Sequence, residues 1–304
     1  MQRVRARSIG KGAPRQPKMA RTATLGIVGA GSVGQALGRL LAPKFMILVA
    51  SRGRPDEAVE FIGPPARAAT LEELANRSDC VVVAVPDRAV PSVAGQLAKR
   101  PPRVVVQTCG ALGPSDLSPL PERGTACATF HPLQTVPDAR SGVQLLPGST
   151  FGVCGRGEEA LSWCRSLAQS LGGTTLSVSE DRLPLYHAAA VFASNFAVGL
   201  VAAATCLMES AGASRAEARR ALRPLMEASM ENAFTMSSVQ ALTGPIARGD
   251  AGTVRRHLDA MDGSFGTEQA LYRQLARYLL PLAIRRGLEP EAVAALQALL
   301  DGEH

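Results

Sequence analysis

The stretch TLGIVGAGSVGQALGRLL, Thr24 to Leu41, decides the fold. A short apolar run opens it, a segment with apolar residues at helical spacing closes it, and Gly29, Gly31 and Gly34 between them spell G-x-G-x-x-G. The glycine pattern alone is weak evidence, but directly after a strand and at the head of an amphipathic helix it marks a dinucleotide-binding turn. Gly29 allows the tight turn, Gly31 lets the backbone approach a pyrophosphate, and Gly34 lets helix and strand pack closely. The intervening Ala30, Ser32 and Val33 complete the loop, whose amides at the helix N-terminus suit phosphate.

Outward from this loop, apolar runs continue as MILVASR, CVVVAVP, RVVVQT, TACATF, TFGVCG and TTLSVS, separated by helix-like segments such as EEALSWCRSLAQSLG. Valine-rich runs of this length suit strands buried on both faces, and their alternation with helices predicts a doubly wound parallel sheet. After Ser179 the strands stop, and Leu183 to Leu300 reads as helix, with breaks near Gly212, Gly244-Pro245 and Gly287. The chain therefore divides into a basic arm at 1–21, a dinucleotide-binding α/β domain at 22–180 and an all-helical domain at 181–304.

At the end of the second strand a cofactor lacking a 2′-phosphate usually meets an acid that takes the ribose hydroxyls. Here the sequence reads ASRGR, Ala50 to Arg54. Ser51 and Arg52, with Arg54 nearby, offer donors and positive charge instead, so NADP(H) is expected rather than NAD(H). Solvated surface arginines are the other reading of these residues.

The 304 residues are 46% hydrophobic and 19% charged, as in a folded soluble chain. A formal net charge of +7 is matched by the seven basic residues of the acid-free arm (Arg3, Arg5, Arg7, Lys11, Arg15, Lys18 and Arg21). The remainder is balanced, which gives no footprint for nucleic acid. The arm is expected to be disordered; a transit peptide and a true start at Met19 are the alternatives. The six cysteines form no CxxC pair and the four histidines lack ligand spacing, so reduced thiols, a cytoplasmic location and no metal are expected.

GAGSVG after the first strand, SR after the second, AVPD at Ala84 to Asp87, HPLQT at His131 to Thr135, YHAAAVFASN and LTGPIARGD together resemble the Rossmann-like bacterial proteins that carry a DUF2520 C-terminal domain. More broadly the chain is similar to ketopantoate reductases, pyrroline-5-carboxylate reductases, F420-dependent NADP oxidoreductases and prephenate dehydrogenases. The resemblance implies a helical C-terminal domain of the 6-phosphogluconate dehydrogenase type, a homodimer, and NADP contacts that include Val85 and Pro86. Laid on the ketopantoate reductase pattern, the position of a proton-donating lysine falls on His187, one asparagine on Val191 and a second on Asn195. The HP dipeptide at His131 resembles the prephenate dehydrogenase histidine that meets the substrate hydroxyl.

Read without any family, His187 and Ser194 lie two helical turns apart with Asn195 flanking them, while His131 follows a strand at the edge where ligands collect. A satisfied core histidine and a loop cap are the structural alternatives. Thr243, Arg248 and Asp250 either meet substrate or only join helices. Leu185 to Met208 contains no Asp, Glu, Lys or Arg and is long enough to span a bilayer. Its alanines, its polar stripe and the missing positive flank point instead to a buried helix, partly at a dimer interface and partly walling the cleft. The leading expectation is an NADP(H)-dependent oxidoreductase acting on a small carbonyl, imine or hydroxy acid. A non-catalytic NADP(H)-binding scaffold and an F420-dependent NADP reductase are the alternatives.

Overall fold

The computed structural model describes residues 22–302, so the basic arm lies outside the described residues. Two compact units emerge, one ending at Ser194 and the other beginning at Asn195.

The first unit holds an eight-stranded sheet: β1 (Thr24–Val28), β2 (Met46–Ala50), β3 (Arg67–Ala68), β4 (Cys80–Val83), β5 (Val104–Gln107), β6 (Ala126–Pro132), β7 (Thr150–Gly155) and β8 (Thr174–Ser177). The order is 3-2-1-4-5-6-7-8, and β1 to β6 run parallel. The expected doubly wound parallel sheet is thus present, extended by β7, which runs antiparallel to β6, and by β8, which follows the direction of β7. The two-residue β3 was not anticipated, its residues being exposed and without an apolar run.

Helices cover both faces, as the all-buried β4 and β5 require. On one side α1 (Ser32–Leu41), α2 (Pro55–Ile62) and α6 (Glu158–Ser170) bury Leu37, Ile62 and Leu167 against Ile27, Ile47 and Val82. On the other, α3 (Leu71–Arg77) and α4 (Val90–Leu97) bury Leu74, Ala94 and Leu97 against Leu48, Val81 and Val105. Neighbouring strand residues thus alternate between two separate cores. Helix α5 (Ala139–Leu145) follows β6.

Helix α7 (Leu183–Ala193) lies beyond the expected boundary at 180, yet it groups with the sheet. Glu180 fixes its start, accepting from the Ser115 amide at 2.7 Å and hydroxyl at 2.5 Å and pairing with Arg156 at 3.0 Å. Burial pushes the Glu180 carboxyl up, but the donors of Ser115 and Arg156 outweigh it and hold it below the usual range.

The second unit is all helix, as expected: α8 (Asn195–Ser210), α9 (Arg215–Thr235), α10 (Ser238–Ala241), α11 (Gly244–Arg248), α12 (Ala251–Met261), α13 (Gly266–Arg285) and α14 (Pro290–Asp301). Its core joins Ile246, Val254, Leu258, Leu280 and Leu296 from α11 to α14.

The single helix expected over the uncharged window needs a correction, and little of it is buried within the chain itself. Backbone angles of φ −119° and ψ −72° at Ser194 break it into α7 and α8. Only Leu183 of α7 and Thr205 of α8 are buried within the chain, and Phe192 and Val198 are each 69% exposed. The segment Glu180–Ser210 remains long and apolar enough to cross a membrane by length and composition.

Candidate active site

Gly29 adopts φ +111°, where an L side chain is strained and would also press into the Ala84 carbonyl. Its amide donates to Ala50 O at 2.9 Å, tying the turn to the end of β2. A side chain at Gly34 would strike the Gly29 carbonyl, so helix and turn stay in contact. At Gly31 an added methyl would meet nothing within 4 Å. Side chains are thus excluded at Gly29 and Gly34 by their surroundings, while Gly31 borders open space. Gln35 braces the loop by donating to Ala30 O at 2.6 Å.

Above the turn lies a cavity of about 680 Å³ between the carboxyl ends of β1, β2 and β4. Gly29, Ala30, Gly31, Ser51, Arg52, Val85 and Pro86 line it; Ser32, Val33 and Gly34 stand in the first turn of α1 behind it. That turn has no side-chain cap and no acid, leaving its amides and positive dipole end for an anion. This is the switch point of the sheet, where dinucleotides bind, and the residues present fit NADP(H). Ser51 Oγ accepts the Gly53 amide at 3.2 Å and shapes the bend. Arg54 is engaged with Glu57 at 2.6 Å, whereas Arg52 has no ion pair among the described residues. Sequence reasoning missed Thr70, Arg88, Ser92 and Gln96 on the same wall. Nothing in their local pattern marks them, since the helix positions that bring them there are set by the sheet.

Farther along the same carboxyl edge, beyond β5 and β6, the fold gathers His131, Tyr186 and His187. His131 sits within β6, not after it, and its Nδ1 lies 2.9 Å from Tyr186 Oη. The His131 ring meets those of Tyr186 and His187 edge-on, each at a centroid distance of 5.6 Å. Two glycines make the room. A methyl at Gly110 would stand 2.5 Å from His187 Nδ1 and 2.9 Å from His131 Nε2, and one at Gly152 would enter the Tyr186 ring.

The Gly110 loop is held by Gln107, which is fully buried, donates to Leu112 O at 2.6 Å and accepts the Cys109 amide at 2.5 Å. Burial, then repulsion from His187, lowers His131 to about 4 against a weaker opposing pull from Asp87. His131 is thus neutral at physiological pH. Burial, with Asp87 beside it, pushes the Cys109 thiol far up, so it is an inert thiol.

The structure brings His131 and His187 together and does not bring Asn195 to them within the first unit. Asn195 opens α8 on the far side of the Ser194 break, which interrupts the face it was expected to share with His187. Asp250 caps α12 by accepting the Thr253 amide at 2.9 Å, a structural use of its carboxylate.

Comparison with known proteins agrees with this architecture. No curated protein matches the chain. A protein of Thermotoga maritima is 27% identical, with a TM-score of 0.66 over 86% of this chain and 99% of that one. A candidate NADP oxidoreductase of Bacteroides fragilis is 20% identical, with a TM-score of 0.71 over 85% and 98%. A pyrroline carboxylate reductase of Plasmodium falciparum, solved with NADP bound, is 15% identical, with a TM-score of 0.55 over 93% and 98%. Residues 12–132 match the Rossmann-like domain and residues 149–279 match DUF2520, a domain of unknown function, so the chain is a Rossmann-like protein with a DUF2520 C-terminal domain.

Proposed function

We propose that this protein is an NADP(H)-dependent oxidoreductase that passes a hydride to or from a small carbonyl, imine or hydroxy acid. One observation carries the reading: a nucleotide cavity and a pair of converging imidazoles lie along one carboxyl edge of one sheet. Neighbours solved with NADP or NADPH, the pyrroline carboxylate reductase and a reductive aminase of Aspergillus terreus, support it.

NADPH bound at the glycine turn supplies the hydride. The chain's own residues do the rest. The amides of Gly31, Ser32 and Val33 would hold the pyrophosphate, and Arg52 with Ser51 would take the 2′-phosphate. His187 serves the substrate heteroatom from Nε2, because its Nδ1 is closed off against Gly110. His131 orients the substrate.

The test is a fluorescence titration followed by a screen of keto acids, imines and hydroxy acids. NADPH is expected to bind at least about tenfold more tightly than NADH, and Arg52→Asp to abolish that preference. Equal affinities would remove the 2′-phosphate assignment. Turnover of any substrate excludes a non-catalytic scaffold, and turnover only with reduced F420 would replace the substrate class.

A further inference from the structure

Tyr186 was not singled out by its sequence, yet it occupies a built position. It rests on Gly152, where any side chain would collide with its ring, and its hydroxyl reaches His131 Nδ1 at 2.9 Å. The phenol oxygen is seated against the bare backbone of Gly152, where an added methyl would collide with it. His131 Nδ1 is the acceptor the structure gives for the phenol proton. Burial raises the Tyr186 phenol above its ordinary value, keeping that proton in place. A phenol that donates to Nδ1 leaves the neutral imidazole of His131 with its hydrogen on Nε2.

That Nε2–H points to the Gly110 side of the ring, and His187 Nδ1 lies there too. His187 Nδ1 is buried and has no hydrogen-bond partner among the described residues. His131 Nε2 and the unmatched His187 Nδ1 therefore lie on the same side, beside Gly110, with the two rings edge to face.

We propose that Tyr186 is a positioning residue at the head of a hydrogen-bond series, Tyr186 Oη–H to His131 Nδ1 and His131 Nε2–H to His187 Nδ1, which leaves His187 with its own N–H on Nε2. The series fixes two tautomers at once. Only its consequence for turnover rests on the oxidoreductase reading: His187 meets the substrate heteroatom through its Nε2–H and polarises it by that hydrogen bond. Asp87 and His187 are the titratable groups that face His131 besides Tyr186. A neutral imidazole keeps the unfavourable His131 to His187 charge pair from forming.

The experiment is nitrogen-15 spectroscopy of histidine-labelled full-length protein, with His131→Gln and His187→Gln to assign the rings. Both histidines are expected as Nε2–H tautomers at neutral pH, with an unprotonated Nδ1. In Tyr186→Phe the His131 ring should move toward the Nδ1–H form, and the His187 ring should follow. Where turnover is found, kcat in that variant should fall about tenfold or more with NADPH affinity within about twofold of wild type. An Nδ1–H tautomer of His131 in the wild type, or unchanged tautomers in Tyr186→Phe, would overturn the series. The wild-type spectrum alone decides the first point if the variant fails to fold. Because tautomers are read without substrate, the expected spectrum without turnover would sink the oxidoreductase reading and leave the series standing.

Discussion

Burying His131 between Tyr186 and His187 ties the stability of the first unit to pH. Its value falls from 6.5 to about 4 in the folded chain, so between those limits the unfolded state binds a proton that the folded state refuses. Stability is full above pH 6.5 and is lost progressively as the pH falls toward 4, by at most about 3 kcal/mol at about 1.4 kcal/mol per unit. Urea midpoints at pH 7 and pH 4.5 should differ more in wild type than in His131→Gln; equal differences would mean that His131 titrates normally. His187→Ala tests the neighbouring ring. It should lower turnover by roughly 10²-fold or more while leaving NADPH affinity nearly unchanged, whereas a mere packing histidine would cost thermal stability and spare the rate per folded molecule. Both histidines were legible because so few are present and each sits beside a strong local pattern. Tyr186 was not, since its partner lies 55 residues away across β6. Gly110 and Gly152 carry no local signal either, because what they make room for comes from other elements.

At the scale of elements, the opening strand, turn and helix were read correctly because every signal is local: an apolar run, three spaced glycines and a helical period. The direction of β7 was not, because side-chain alternation is the same for either direction. Position decides it. β6 ends at the carboxyl edge, and α5 then packs against α1, with Gly142 close to Ala36 and Ser32 near the start of that helix. The chain never descends to the amino edge, so it re-enters the sheet from the carboxyl side and β7 must run antiparallel. The turn itself yields a separable prediction. Gly31 has φ −79° and open space where a methyl would go, so Gly31→Ala should leave the melting temperature within about 2 °C. It should weaken NADPH binding by about tenfold or more, since the methyl occupies the path of the pyrophosphate. Loss of stability with intact affinity would show that the turn serves packing alone.

At the scale of the whole molecule, the second unit buries little of two of its helices. Helices α8 and α9 bury only Thr205 and Ala218, while the core of the unit is built by α11 to α14. Phe196 is 51% exposed, Val198 69%, Leu225 63% and Phe234 85%, large apolar side chains on two adjacent helices. Two covers suit such surface: a bilayer or a second copy. A bilayer would have to accept α9, whose Arg215, Glu217, Arg219, Arg220, Arg223, Glu227 and Glu231 stand on the partner helix of α8, at a cost of roughly 3 kcal/mol for each arginine at the bilayer centre. A second copy can lay apolar residues together and leave those charges at a wet rim. The full chain, and the chain beginning at residue 22, should therefore stay in the supernatant without detergent and scatter light as a dimer. Phe196→Glu combined with Val198→Glu should yield a monomer that keeps NADPH affinity, because the glycine turn belongs to the other unit. Partition of the wild type into membranes, or a dimer that survives both glutamates, would rule out a second copy seated on α8.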